Sequence, residues 1–129
     1  MASASTFSLQ NTTKAKLPSL AFVKMKNAVL GKDYTLSVVI IGRKEMHALN
    51  LRTRGVDKPT DILSFPLSDT EGEMFINPEC SREKAKEFER SYENFIAFLF
   101  IHGLVHLKGF DHGSIMDAIE KEFQKKFHI

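Results

Sequence analysis

Cysteine is nearly absent. Cys80 is the only one, so no internal disulfide can form. A reducing compartment is expected, with Cys80 as a small buried hydrophobe. The first ten residues, Met1 to Gln10, have neither a basic start nor an apolar run, which argues against a secretory signal there. The longest apolar run, Phe95 to Ile101, is far shorter than the roughly 20 residues a bilayer span requires. No internal repeat, linker or second-domain boundary is visible. These absences lead to the expectation of a cytoplasmic protein without membrane contact, folded as one domain over residues 1–129.

Net charge is also small, at +2, but it is unevenly spread. Residues 1–64 hold ten Lys/Arg against four Asp/Glu, and residues 65–129 hold eight against twelve. A basic first half beside an acidic second half suits an anionic polymer lying across a metal site. Scattering of the same charges over solvated faces explains the asymmetry equally well.

What the chain does have is concentrated between Ile101 and Gly113, which contains three of the five histidines. His102 and His106 are four apart, so on a helix they stand one turn apart with roughly 40° between them. Gly109 follows, where a helix ends most easily because glycine accepts a left-handed backbone. Past Phe110 and Asp111, His112 can return to the same point. Two ligands on a helix and a third after a glycine turn make an open three-histidine site. That suits catalytic zinc, one ion per chain, with a fourth position for water. The alternatives for the pair are hydrogen-bonded core histidines, or imidazoles meeting the carbonyls of the helix C-terminus. The third histidine with the glycine and aspartate between favours the metal.

The stretch His102-Gly103-Leu104-Val105-His106-Leu107-Lys108-Gly109-Phe110-Asp111-His112 resembles the motif of the YbeY family, with Phe110 where that family usually has Tyr. The likeness extends upstream through Ala97-Phe98-Leu99. It includes Arg54-Gly55-Val56-Asp57-Lys58-Pro59-Thr60-Asp61-Ile62-Leu63-Ser64-Phe65-Pro66 and Gly72-Glu73-Met74-Phe75-Ile76. Together these cover roughly residues 35–113 in the right order. The resemblance implies a zinc-dependent endoribonuclease that cuts single-stranded RNA and serves maturation of ribosomal RNA, at the 3′ end of the small-subunit rRNA, and ribosome quality control. It also implies an α/β fold, RNA and the ribosome as partners, and a functional arginine at Arg54.

Along the chain, Ser3 to Gln10 is weakly strand-like, and apolar residues from Leu17 to Val29 recur at helical spacing up to Gly31. Tyr34 to Ile41 reads as a buried strand, and Arg43 to about Arg52 as a helix with Met46 and Leu49 inward. Arg54-Gly55 opens a loop. Thr60 to Phe65 is the third strand, stopped by Pro66, and Glu73 to Ile76 is the fourth. Asn77-Pro78 starts a helix, and Ser91 starts the principal one. There Phe95, Leu99, His102 and His106 form one stripe of a helix apolar nearly all round, which belongs at the centre of the domain. Ser114 with Asp117 resembles a capping pair for a last helix, Ile115 to Phe127, with Ile115, Ala118, Ile119 and Phe123 inward. The expected fold is α/β (α+β): a small mixed four-stranded sheet with about five helices, the long central one carrying the metal ligands.

The expected chemistry is hydrolysis of a phosphodiester by a metal-activated water, with Arg54 gripping phosphate through its forked donors. The alternative nucleophile is the RNA 2′-hydroxyl, which leaves a cyclic phosphate. Asp111 is expected to support a ligand or hold the turn rather than react. His47 and His128 are read as non-ligands. Lys108 is either an RNA contact or a solvated last-turn lysine. A second enzyme class is a zinc peptidase of metzincin-like geometry. Its general-base Glu, however, follows the first histidine, and here that position is Gly103. A zinc-stabilised ribosome-binding module that cuts nothing is the non-enzymatic alternative.

Overall fold

The computed structural model describes residues 6–109 and 113–129. Its strands are β1 (Phe7–Asn11), β2 (Thr35–Ile40), β3 (Ile62–Ser68) and β4 (Glu71–Ile76). Its helices are α1 (Phe22–Leu30), α2 (Arg43–Arg54), α3 (Pro78–Glu87), α4 (Tyr92–Leu107) and α5 (Ser114–Lys126). The four strands form one mixed sheet in the order β1-β2-β4-β3. β1, β2 and β4 run parallel, and β3 returns antiparallel to β4. The expected α/β class, with a small mixed sheet and five helices, is the fold observed. No helix among the described residues is long and apolar enough to cross a membrane.

Alternation along the strands decides what covers each face. Leu36, Val38 and Ile40 of β2 and Met74 and Ile76 of β4 are buried together with α1 and α4. α5 adds Met116 to this core, with Ile119 and Phe123 packed against it. Val39, Phe65 and Phe75 point the other way and pack with Met46 and Leu49 of α2. α4 is therefore wrapped by the sheet, α1, α3 and α5, and it is buried on almost every side, as its sequence requires.

Several boundaries differ from expectation for identifiable reasons. The helix read from Leu17 starts only at Phe22. Pro18 biases Leu17 before it towards extended backbone, and the helix starts after Ala21 with no side-chain capping bond. Leu17 and Leu20 still pack against the core, so their spacing reflected burial rather than helix. The first strand lies at Phe7–Asn11 rather than Ser3–Gln10; residues 3–5 fall outside the described residues. β3 is not stopped by Pro66 but passes through it to Ser68, with an irregular register between Pro66 and Ser68. β3 is an edge strand, where the missing N–H of proline leaves no ladder bond unmade. α2 runs to Arg54 instead of ending near Arg52, and Gly55 caps it with a left-handed backbone (φ 70°). Arg54 is thus the last helical residue, at the start of the loop that leads to β3.

α5 departs most. Its N-cap is Gly113, without a side-chain capping bond, so the Ser114–Asp117 pair does not cap it. Ile115 is 69% exposed and Ala118 is exposed, while the buried residues are Met116 and Glu120. Ile119 and Phe123 do lean on the core, as expected.

Candidate functional site

α4 begins where Ser91 accepts a hydrogen bond from the Asn94 N–H (3.1 Å). Its stripe of Phe95, Leu99, His102 and His106 runs from the core to an open cavity. Phe95 and Leu99 are buried against Ala85 of α3. One and two turns further on, His102 and His106 are only partly covered. Their rings lie 4.8 Å apart, centroid to centroid, at 86° to each other. The helix closes at Lys108, whose ammonium donates to the Val29 carbonyl (2.9 Å), and Gly109 turns the chain with φ 109°. Lys108 is therefore tied to the end of α1. His112, the expected third ligand, and Asp111 beside it lie outside the described residues.

β3 forms the facing wall. The cavity, about 550 Å³, is lined by Asp61, Ser64 and Pro66 on that side, by His102 and His106 on α4, and by Arg54 at the end of α2. Three of the expected site residues, drawn from two helices far apart in sequence, therefore meet in one place. α4 can approach β3 this closely because of Gly103. A Cβ there would stand 2.6 Å from Met74 Cε and 2.9 Å from Ile62 Cδ1. The position that carries the general-base Glu in zinc peptidases is thus filled by the sheet.

Arg54 is exposed but not loose. Its Nη1 donates to Asn50 Oδ1 (3.2 Å), one turn back on α2. Asn50 is buried and donates to the Lys58 carbonyl (2.8 Å), which pins the loop after α2 to the helix. Asp61 accepts from the Ile62 N–H (2.8 Å) and from Thr60 Oγ1 (3.3 Å), shaping the entry to β3. A second cavity of about 420 Å³ adjoins the first, with Arg54, Thr60 and Asp61 common to both. Lys58 and Lys84 line it, as does Arg43, which is paired with Glu79 (3.5 Å) and Glu83 (2.6 Å). These pairs join the basic first half of the chain to the acidic second half, so the sequence asymmetry is partly cancelled in the fold. Cys80 lies there too, buried as expected. Burial pushes its thiol up despite Arg43, which keeps it protonated and a poor nucleophile.

His47 pairs with Asp57 (2.7 Å), and His128 lies next to the C-terminal residue; neither lines the cavity of His102 and His106. The residue that sequence reading missed is Glu120. Its carboxylate, buried on α5, is hydrogen-bonded to Nδ1 of His102. A signal was present: Met116, Glu120, Phe123 and Phe127 step by four, three and four, the spacing of the α4 stripe, with one acid in an apolar row. Among the described residues no group of three or more His, Cys, Asp or Glu is arranged to hold a metal ion. The two imidazoles nevertheless fit a borderline divalent ion such as zinc in donor chemistry, and one is backed by a carboxylate as metal-bound histidines usually are.

The family model for endoribonuclease YbeY matches residues 3–128 of the chain. The chain belongs to the YbeY family. Among its relatives, the endoribonuclease YbeY of Aliarcobacter butzleri (strain RM4018) is 37% identical over 110 residues, covering 81% of this chain and 77% of that protein. The endoribonuclease YbeY of Campylobacter jejuni (strain RM1221) is 42% identical over 102 residues, covering 73% and 76%. The fold is similar to the solution structure of TM1509 from Thermotoga maritima, with a TM-score of 0.66 and 25% identity over 94% of this chain and 88% of that one. The resemblance drawn from the histidine and Arg54 stretches is thus the YbeY family's, extended over nearly the whole chain.

Proposed function

We propose that this protein is a metal-dependent endoribonuclease acting on single-stranded RNA, with zinc held by His102, His106 and His112. Family membership supports the endoribonuclease activity. The observation that carries the site is the shared cavity: Arg54 from α2 faces the same space as His102 and His106 from α4. When bound, zinc supplies a Lewis acid for a phosphoryl oxygen and lowers the pKa of a water towards roughly 7.

The chain's own residues do the positioning. The Arg54 guanidinium offers two parallel donors to non-bridging phosphate oxygens and offsets the charge that grows on them during displacement at phosphorus. Asn50 limits the directions that guanidinium can take. The adjoining cavity continues past Arg54 and carries both cations, Lys58 and Lys84, and acids, Asp61, Glu83 and Glu87, so nucleotides next to the cut would be held there through the lysines. Hydrolysis breaks a backbone P–O bond and adds water across it. The finer assignment, maturation of the 3′ end of the small-subunit rRNA and ribosome quality control in the cytoplasm with the ribosome as partner, follows the family resemblance.

The test is turnover of a labelled single-stranded RNA by zinc-loaded protein beside casein as a peptidase substrate. Metal-dependent RNA cleavage with intact casein is the expected result. Casein turnover without RNA cleavage contradicts the proposal. Gly103 argues against that outcome, because it stands where the peptidase base belongs and carries no carboxylate.

A further inference from the structure

We propose that Glu120 is a positioning residue for the metal centre, holding His102 in the tautomer that ligates through Nε2. This rests on the metal reading above and adds a residue to it. Glu120 is the one buried acidic residue among the described residues. It sits on α5 between Met116, which is buried, and Phe123, which packs on the core. A carboxylate in such surroundings costs several kcal/mol unless it is paired and hydrogen-bonded. Its partner is Nδ1 of His102, on a different helix and eighteen residues away.

An ionised carboxylate only accepts, so the proton of this bond belongs to Nδ1 of the imidazole. The neutral ring then keeps its lone pair on Nε2. The same bond stops the ring from rotating about its side-chain torsions and raises the basicity of the ligating nitrogen. α5 thereby acquires a task beyond covering the core: it carries a carboxylate to one specific imidazole. Loss of such a partner usually weakens metal affinity 10- to 100-fold.

The experiment measures zinc affinity of the full chain by competition with a chromophoric chelator. It compares wild type, Glu120→Ala, Glu120→Gln and His106→Ala, with folding of each metal-free protein checked by circular dichroism. The expected result is near-complete loss of binding in His106→Ala and a 10- to 100-fold weakening in Glu120→Ala. Glu120→Gln keeps an acceptor oxygen and is expected to fall between wild type and Glu120→Ala. Unchanged affinity in both Glu120 variants, with binding lost in His106→Ala, overturns the role of Glu120 and leaves the metal site standing. No zinc binding by wild type, or full binding by His106→Ala, overturns the metal reading and this inference with it. If Glu120→Ala does not fold, ¹⁵N-resolved imidazole spectra of metal-free wild type decide the matter. A proton on Nδ1 of His102 supports the inference, and a proton on Nε2 with Nδ1 bare overturns it.

Discussion

Gly103 and Ser64 meet across the α4–β3 interface so closely that a Cβ on the glycine would stand 2.8 Å from Ser64 Oγ. This contact sets the width of the cavity, because Ser64 lines one wall and His102, next to Gly103, lines the other. A helix normally loses stability by including glycine, by about 1 kcal/mol relative to alanine. Here the close approach of helix to sheet outweighs that loss.

Substituting Gly103→Ala should therefore destabilise the protein despite the better helix propensity. Three side-chain ends, Met74 Cε, Ser64 Oγ and Ile62 Cδ1, would have to move at once in a packed layer. The expected loss is about 1–3 kcal/mol, the usual range for overpacking. Urea denaturation checks it. A variant as stable as wild type would mean that α4 does not lie against β3 as described.

Asn50, buried beside Arg54, is expected to matter for RNA through that arginine. Asn50→Ala removes the partner of Arg54 Nη1 and leaves the Lys58 carbonyl without its donor. RNA affinity should fall by about 2- to 12-fold, matching the net ~0.5–1.5 kcal/mol of one hydrogen bond. Because the loss is routed through Arg54, adding Asn50→Ala to Arg54→Ala should cost little more affinity than Arg54→Ala alone. Fluorescence anisotropy with a labelled single-stranded RNA measures all three variants. Fully additive losses would separate the two residues.

Tyr34 offers a test with a pH signature. Its hydroxyl is buried with no hydrogen-bond partner among the described residues. Tyr34→Phe removes an unsatisfied polar atom, so it should be neutral or stabilising by up to about 1 kcal/mol at neutral pH. Burial first, and the Glu71 carboxylate second, hold the phenol above its ordinary value of 10.0. As pH rises past about 10, the unfolded chain gives up this proton before the folded one does. The unfolded state then binds fewer protons, and wild type loses stability. Tyr34→Phe lacks this loss, so its advantage should widen above pH 10. Denaturation at pH 7 and at pH 10.5 measures the difference. A constant gap, or one that narrows, contradicts the buried phenol.

The central helix was legible in the sequence because several signals agree on it. Ser91 marks its start, Gly109 its end, and an apolar surface on nearly every side marks its burial. The N-cap of α3 was legible for the same reason: Asn77 accepts from the Cys80 N–H (2.8 Å) directly before Pro78. Strand order was not legible, since it depends on pairings between distant segments that no local pattern encodes. Pro66 misled because a proline excludes a central strand but not an edge, and only the assembled sheet tells which β3 is. On α5, Ile115 and Met116 are adjacent and both apolar, and the set with Ile115 inward shares Ile119 and Phe123 with the observed one. The correct one contained Glu120, and an acid in a core stripe reads as a surface position until its partner His102 is seen opposite. His102 and His106 pointed to a site in the sequence because His112, with Gly109 and Asp111 between, follows them within one short stretch. Arg54 needed the family likeness, and only the fold brings it into the cavity of the histidines.

The most direct measurement is cleavage of a labelled single-stranded RNA by zinc-loaded wild type, Arg54→Ala and His106→Ala, with bound zinc counted in each. Cutting by wild type with one zinc per chain is expected. Arg54→Ala should stay folded and zinc-loaded yet lose most of the activity, and His106→Ala should lose zinc and activity together. The initial products should carry no 2′,3′-cyclic phosphate. Undiminished cutting by either variant, or no cutting by a wild type that holds its zinc, would contradict a metal-dependent ribonuclease site built from α4 and Arg54.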